Sequence, residues 1–253
     1  MKITILGSGT CVPRLDRSAC AVLVETGPQK ILLDLGPGTM RRLLEAGVTI
    51  FDLTHIFLSH FHPDHTSELV PLIFATKYPD SSSRRFPLTV LGGSGLKKFY
   101  QDLKTAFGEW IVHPQLILQD IDTLAGEVLH LGQTKISTRP VNHRPESLAV
   151  RIEAPSGRSV VYSGDTDACP ALAAIAQQTD LFICEAALPD EARTPGHLTP
   201  SLAAAIARDA RVGHLVLTHL YPPCDEVDIA KQAAAVYKGP VTVAKDLMVF
   251  DLG

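Results

Sequence analysis

The sequence has little with which to cross-link itself, to grip a polyanion over a broad surface, or to enter a membrane. Its five cysteines, Cys11, Cys20, Cys169, Cys184 and Cys224, are odd in number and never spaced as Cys-x-x-Cys. That pattern argues against a disulfide framework or a cysteine-ligated zinc site and leaves most of them as small buried hydrophobes. No run approaches the roughly 18 consecutive apolar residues of a membrane span. The apolar part of the opening MKITILGSG is too short for the core of a secretory signal, so the chain is expected in the cytoplasm. A formal net charge of −4 offers no general attraction for nucleic acid. The cationic pairs Arg41-Arg42, Arg84-Arg85 and Lys97-Lys98 are too short to be more than solvated surface. A low-complexity linker and an evident repeat are also missing, and residues 1–253 are expected to form one domain.

With 253 residues, 45% of them hydrophobic, there is enough apolar material for a large core. Short β-branched runs predict strands at 3–6, 21–25, 30–34, 54–59, 88–91, 135–140, 148–152, 159–163, 181–184, 215–218 and 241–243. Amphipathic stretches predict helices at 38–46, 65–76, 94–107, 169–178, 201–209 and 226–237, the fifth opened by Thr199-Pro200 as capping hydroxyl and first-turn proline. The polar KYPDSSSRRFP, residues 77–87, reads as a surface loop. So many strands would strain one open sheet, which points to α/β layering with two sheets and helices outside them.

Four of the predicted strands end on histidine or aspartate. FLSHFHPDHTSEL, residues 57–69, places His60, His62, Asp64 and His65 within six positions. His143 follows KISTRP, Asp165 closes VVYSGD, and His219 ends LVLTH. Strand ends are where a rigid scaffold presents reactive groups. One strand-end histidine is an ordinary polar group, but burying the crowded set unpaired would cost several kcal/mol. Seven such side chains exceed the needs of one four-coordinate ion and suit two divalent metals sharing an oxygen. Imidazole and carboxylate without thiolate fit zinc best, with manganese or iron compatible. His55, His113, His130 and His214 lack this context and are expected to be structural or exposed.

These residues resemble the metallo-β-lactamase superfamily, whose H-x-H-x-D-H signature is met by His60, His62, Asp64 and His65. Within it the chain is similar to ribonuclease Z and its relatives, through LGSGTCVPRLDRS, LLDLGPGT, SGDT, CEA, PGHLTP and LTHLYP in that order. The resemblance implies a four-layer αβ/βα sandwich with two mixed β-sheets. It implies His60, His62 and His143 on one metal, Asp64, His65 and His219 on the other, and Asp165 between them. Asp34 in LLDLG resembles the family's supporting aspartate, which is not a ligand. His197 in TPGHLTP resembles the relatives' catalytic histidine, paired with a glutamate that is here Glu185. Members of that group are often homodimers, an expectation that carries over.

The expected function is a dinuclear metal-dependent hydrolase, foremost a phosphodiesterase. Water held between the metals would attack, with Asp64 as ligand and base, and His197, oriented by Glu185, would protonate the leaving oxygen. With only Asp64 and Asp165 anionic, such a centre stays near +1 even with hydroxide and favours a small or accessible anionic ester. Ribonuclease Z enzymes carry a long arm for transfer RNA between the third-motif histidine and the bridging aspartate. Here 21 residues separate His143 from Asp165, so large RNA is not expected to be gripped. The open alternatives are transfer-RNA 3′ processing, a sulfatase or lactonase on the same metals, and a non-enzymatic or di-iron redox protein.

Overall fold

The computed structural model describes residues 1–78 and 84–253, so positions 79–83 of the loop expected at 77–87 lie outside the described residues. One seven-stranded sheet holds β1 (Lys2–Gly7), β2 (Ala21–Thr26), β3 (Gln29–Leu33), β4 (His55–Leu58), β5 (Leu88–Gly93), β6 (Leu116–Ile121) and β14 (Val249–Asp251) in the order β14-β1-β2-β3-β4-β5-β6. The other holds β7 (Val128–Leu131), β8 (Thr134–Pro140), β9 (Leu148–Glu153), β10 (Ser159–Tyr162), β11 (Leu181–Glu185), β12 (His214–Thr218) and β13 (Val241–Val243) in the order β13-β12-β11-β10-β9-β8-β7. Each sheet is mixed. The first is antiparallel from β14 to β3 and parallel from β3 to β6. The second is parallel from β10 to β13 and antiparallel from β7 to β10.

The inner strands, such as β2, β5, β10, β11 and β12, are buried on both faces and read as near-continuous apolar runs, as sheets covered on both sides do. Ile3, Ile5, Val24 and Leu33 of the first sheet meet Val150, Val160, Tyr162 and Ile183 of the second in the central core. The outer face of the first sheet, with Leu23, Leu32, Ile56 and Val90, packs on Leu43 of α1 (Thr39–Glu45), Leu72 of α3 (Leu69–Lys77) and Leu96 of α4 (Leu96–Phe107). That of the second, with Val161, Phe182 and Leu215, packs on Leu172 of α5 (Pro170–Ile175), Ala203 and Ala207 of α6 (Pro200–Asp209) and Ala233 of α7 (Ile229–Val236). The result is the expected four-layer αβ/βα sandwich. Among the described residues no helix is long and apolar enough to cross a membrane.

Three features depart from the sequence reading. The helix expected over 65–76 is two, α2 (Pro63–Thr66) and α3. Pro71 lacks the N–H that a continuous helix would send back to Ser67, and its ring would clash with that carbonyl. The break frees the Glu68 carboxylate to accept from the Gly38 and Met40 amides at 2.6 Å each. Strands β6, β7 and β14 were not expected, and all three are sheet edges, where one side of the strand lacks a neighbour and the apolar signal is thin. Thr199 occupies the N-cap of α6 without a side-chain capping bond. Between His143 and Asp165 the chain forms only the β9–β10 hairpin, closed by Ala154 N–H donating to Arg158 O at 2.8 Å with Gly157 at φ 84°.

Candidate metal centre

The chain leaves β3, β4, β8, β10, β11 and β12 at one edge of the sandwich, and Asp34, His60 to His65, His143, Asp165, Glu185 and His219 lie at or just beyond those carboxyl ends. Folding therefore collects polar residues spread over more than half the sequence. Gly36 lets the β3–α1 turn touch the histidine loop, because a Cβ there would lie 1.9 Å from the Asp64 carbonyl oxygen. Gly36→Ala is expected to lower stability by about 1–3 kcal/mol, the usual range for overpacking, and to loosen the loop. Denaturant unfolding and bound-metal content measure the two effects, and an unchanged midpoint would refute the close approach.

All seven expected ligands converge. His60, His62, His143 and Asp165 offer donor atoms within 4.8 Å of one another, as do Asp64, His65 and His219. His60 Nε2 and His143 Nε2 stand 3.0 and 3.2 Å from His62 Nδ1. Asp165 lies between the groups. Its Oδ2 is 3.7 Å from His60 Nε2 and 3.9 Å from His143 Nε2, while its Oδ1 is 3.3 Å from His65 Nε2 and 3.4 Å from His219 Nε2. Asp64 Oδ2 completes the second group at 3.9 Å from His65 Nε2 and 3.7 Å from His219 Nε2.

This arrangement fits divalent metal. Donors on a tetrahedral ion with bonds of roughly 2.0–2.1 Å stand about 3.3 Å apart, close to the spacings observed. Among the described residues, His65 Nε2, Asp165 Oδ1 and both ring nitrogens of His219 are buried and find no hydrogen-bond partner, an expensive state for polar atoms unless a cation satisfies them. The far side of several rings is held. His65 Nδ1 lies 2.8 Å from Asp34 Oδ2, His143 Nδ1 3.0 Å from Gly196 O, and His60 Nδ1 3.0 Å from Ser59 Oγ. Outer bonds of this kind fix the tautomer and aim of metal-binding imidazoles.

The electrostatics bare some donors and load one with a proton: burial disfavours the His65 imidazolium, but Asp165 and Asp34 outweigh it and raise His65 well above its ordinary value, so a metal there displaces a proton. Burial, aided by the charges of neighbouring histidines, pushes His60 down to about 2, so it is neutral. Burial opposes ionisation of Asp64, but the contact with His219 and the charges of His65 and His219 outweigh it and hold the carboxyl at about 2. Asp165 is likewise held well below the usual carboxylate range, burial being outweighed by His219, His65 and His60.

His197 stands beside the centre, its ring 5.0 Å from that of His143 and 5.6 Å from that of His219. Its Nδ1 meets Glu185 Oε1 at 3.0 Å, leaving Nε2 as the outward nitrogen. The buried Glu185 also accepts from Thr166 N–H at 2.6 Å and Leu198 N–H at 3.1 Å. Burial disfavours the imidazolium, yet the Glu185 bond and charge outweigh it and raise His197 to about 9.

Several residues at the centre were not singled out in the sequence. Ser59 and Tyr162 both bond Asp34, and Asp167 accepts from Gly196 N–H at 3.2 Å and from Arg193 at 3.2 Å, which steadies the turn carrying His197. In the sequence Tyr162 ends an apolar run and reads as core, so its hydroxyl gave no signal. Of the histidines set aside, His55 bonds Thr54, His214 bonds Thr242 and His113 accepts from the Gln115 amide.

Comparison with known proteins gives a consistent result. The family model described as a β-lactamase superfamily domain matches residues 22–220. A ribonuclease Z from Mycobacterium bovis is 30% identical over 271 aligned residues, covering 98% of this chain and 96% of the relative. The metallo-β-lactamase fold protein YhfI from Bacillus subtilis superposes with a TM-score of 0.83 at 25% identity, covering 98% of each chain. The short form of human tRNase Z superposes at 0.81 with 24% identity over the whole of both chains, a likeness of fold.

Proposed function

We propose, for a chain that belongs to the metallo-β-lactamase superfamily, that it is a dinuclear metal-dependent phosphodiesterase acting on a small or accessible substrate. The observation that carries this reading is Asp165, whose two oxygens face the two donor groups separately. His60, His62 and His143 would hold one ion and Asp64, His65 and His219 the other, with Asp165 shared. The imidazole and carboxylate donors suit zinc, with manganese or iron compatible. Two divalent ions held there supply Lewis acidity, acidifying water toward neutral pH and neutralising charge on a phosphoryl group.

The chain's own groups would do the rest. Asp64, ionised and partly open to solvent, accepts a hydrogen bond or proton from the attacking water. Glu185 keeps His197 protonated and fixes its Nδ1, so that Nε2 can give a proton to the departing alkoxide. A proton donor of this kind matters most for a poor leaving group, which favours an alkyl phosphodiester over an activated acyl bond.

The relative named ribonuclease Z supports a second reading, transfer-RNA 3′ processing. Against it stands the short β9–β10 turn, which supplies no arm, and the net charge of −4, since RNA affinity grows with the number of phosphate contacts. The test compares kcat/KM on bis(p-nitrophenyl) phosphate and on precursor transfer RNA at one salt concentration. Turnover of the small diester with poor processing of the precursor is expected. Efficient, accurate 3′ cleavage would establish the second reading instead, and inactivity on both with hydrolysis of sulfate esters or lactones would displace the phosphodiester assignment.

A further inference from the structure

We infer that the Tyr162 hydroxyl, reaching Asp34 from the opposite sheet, is a positioning group that aims one histidine from each half of the metal centre. The inference rests on the seven side chains holding metal, and it concerns residues that hold no metal themselves.

Asp34 is wholly buried. Its Oδ1 accepts from Ser59 N–H at 2.7 Å. Its Oδ2 takes Ser59 Oγ–H at 2.7 Å, His65 Nδ1–H at 2.8 Å and Tyr162 O–H at 2.7 Å. A carboxylate has about four acceptor sites, so its capacity is filled. With Asp34 accepting at both oxygens, His65 meets it through a proton on Nδ1, so Nε2 is the nitrogen that faces Asp165 and Asp64 and is left for metal.

Ser59 extends the same constraint to His60. Its single hydroxyl proton goes to Asp34, so toward His60 Nδ1, 3.0 Å away, the oxygen acts as acceptor. His60 Nδ1 therefore carries a proton and Nε2 keeps its lone pair turned to Asp165. One carboxylate thus sets the protonation of His60 in one donor group and of His65 in the other.

Ser59 and His65 both belong to the segment that follows β4 and would move together with it. Tyr162 is the donor from outside, 128 positions along the chain on β10, with its ring in the core between the sheets. Packing explains the ring but not the oxygen, since phenylalanine would fill that space. The other neighbour of the hydroxyl is Cys20 Sγ at 3.4 Å, a thiol that burial raises to about 12 and so keeps protonated. With its one proton on Asp34, Tyr162 holds the carboxylate against the second sheet, where β10 also leads to Asp165.

The experiment titrates metal-free protein with cobalt(II) and follows visible absorption, a readout independent of any substrate. Tyr162→Phe is expected to weaken at least one binding step by roughly tenfold, the lower end of the range for outer partners of metal ligands, and to alter the absorption spectrum. Binding constants within about twofold of wild type, whatever happens to thermal stability, would overturn the inference, because an outer partner is worth more than that. A second measurement covers a variant that fails to fold. Wild-type protein should show the His65 Nδ1 proton far downfield in the proton spectrum, and lack of that signal would also overturn the assignment. Wild-type protein that binds no cobalt would instead overturn the metal centre itself.

Discussion

Asp165→Ala should keep the sandwich fold yet fall from about two bound divalent ions per chain, the number a shared-oxygen pair requires, to fewer than one, with hydrolysis dropping to background. The removed carboxylate touches both donor groups, through Oδ1 to His65 and His219 and through Oδ2 to His60 and His143. Without it, Asp64 would be the one anionic donor left facing two dications. Substituting His62 strips one donor group and leaves the other, so its metal loss should be smaller. Elemental analysis after dialysis, beside assays in excess zinc, measures the outcome. An Asp165→Ala protein retaining both ions would remove the bridging role.

His197→Ala should retain its metals and lose roughly 10²- to 10⁴-fold in turnover on esters with poor leaving groups, the range for a positioned general acid. With a nitrophenolate leaving group the loss should shrink, because that oxygen departs without a proton. The pH dependence carries a sign. His197 is raised above its ordinary value, to about 9, so the competent imidazolium is present below that value and activity is lost as pH rises through it. Glu185→Gln removes the charge that raises it and should move this alkaline limb to lower pH. A limb that stays in place, or equal losses for good and poor leaving groups, would count against proton donation.

The candidate ligands were legible because a crowd of histidine and aspartate at the end of an apolar strand has few physical explanations. Their convergence was less so, since β10 and β12 carry Asp165 and His219 to the centre only once two sheets have packed face to face. The support around them was largely hidden. Ser59 looks like any small polar residue before a loop, and Tyr162 like core; both become informative when Asp34 is placed between them. The division of the helix over 65–76 could have been read from Pro71, whose missing N–H outweighs the apolar periodicity around it. Strands β6, β7 and β14 depended on pairing partners that no local pattern displays.

Asp34 and His219 hold the left-handed backbone conformation, at φ 58° and 56°, each one residue beyond the end of its strand. For residues other than glycine that conformation costs about 1–3 kcal/mol, and glycine would adopt it freely. Both positions instead carry side chains turned into the centre, one to hold an imidazole and one to face Asp64 and Asp165. At His219 glycine would ease the backbone and strip a donor from the centre; at Asp34 it would ease the backbone but leave the buried Ser59, His65 and Tyr162 donors without their acceptor, a larger loss. Engineering for stability therefore has to leave both reversals untouched, each for its own reason.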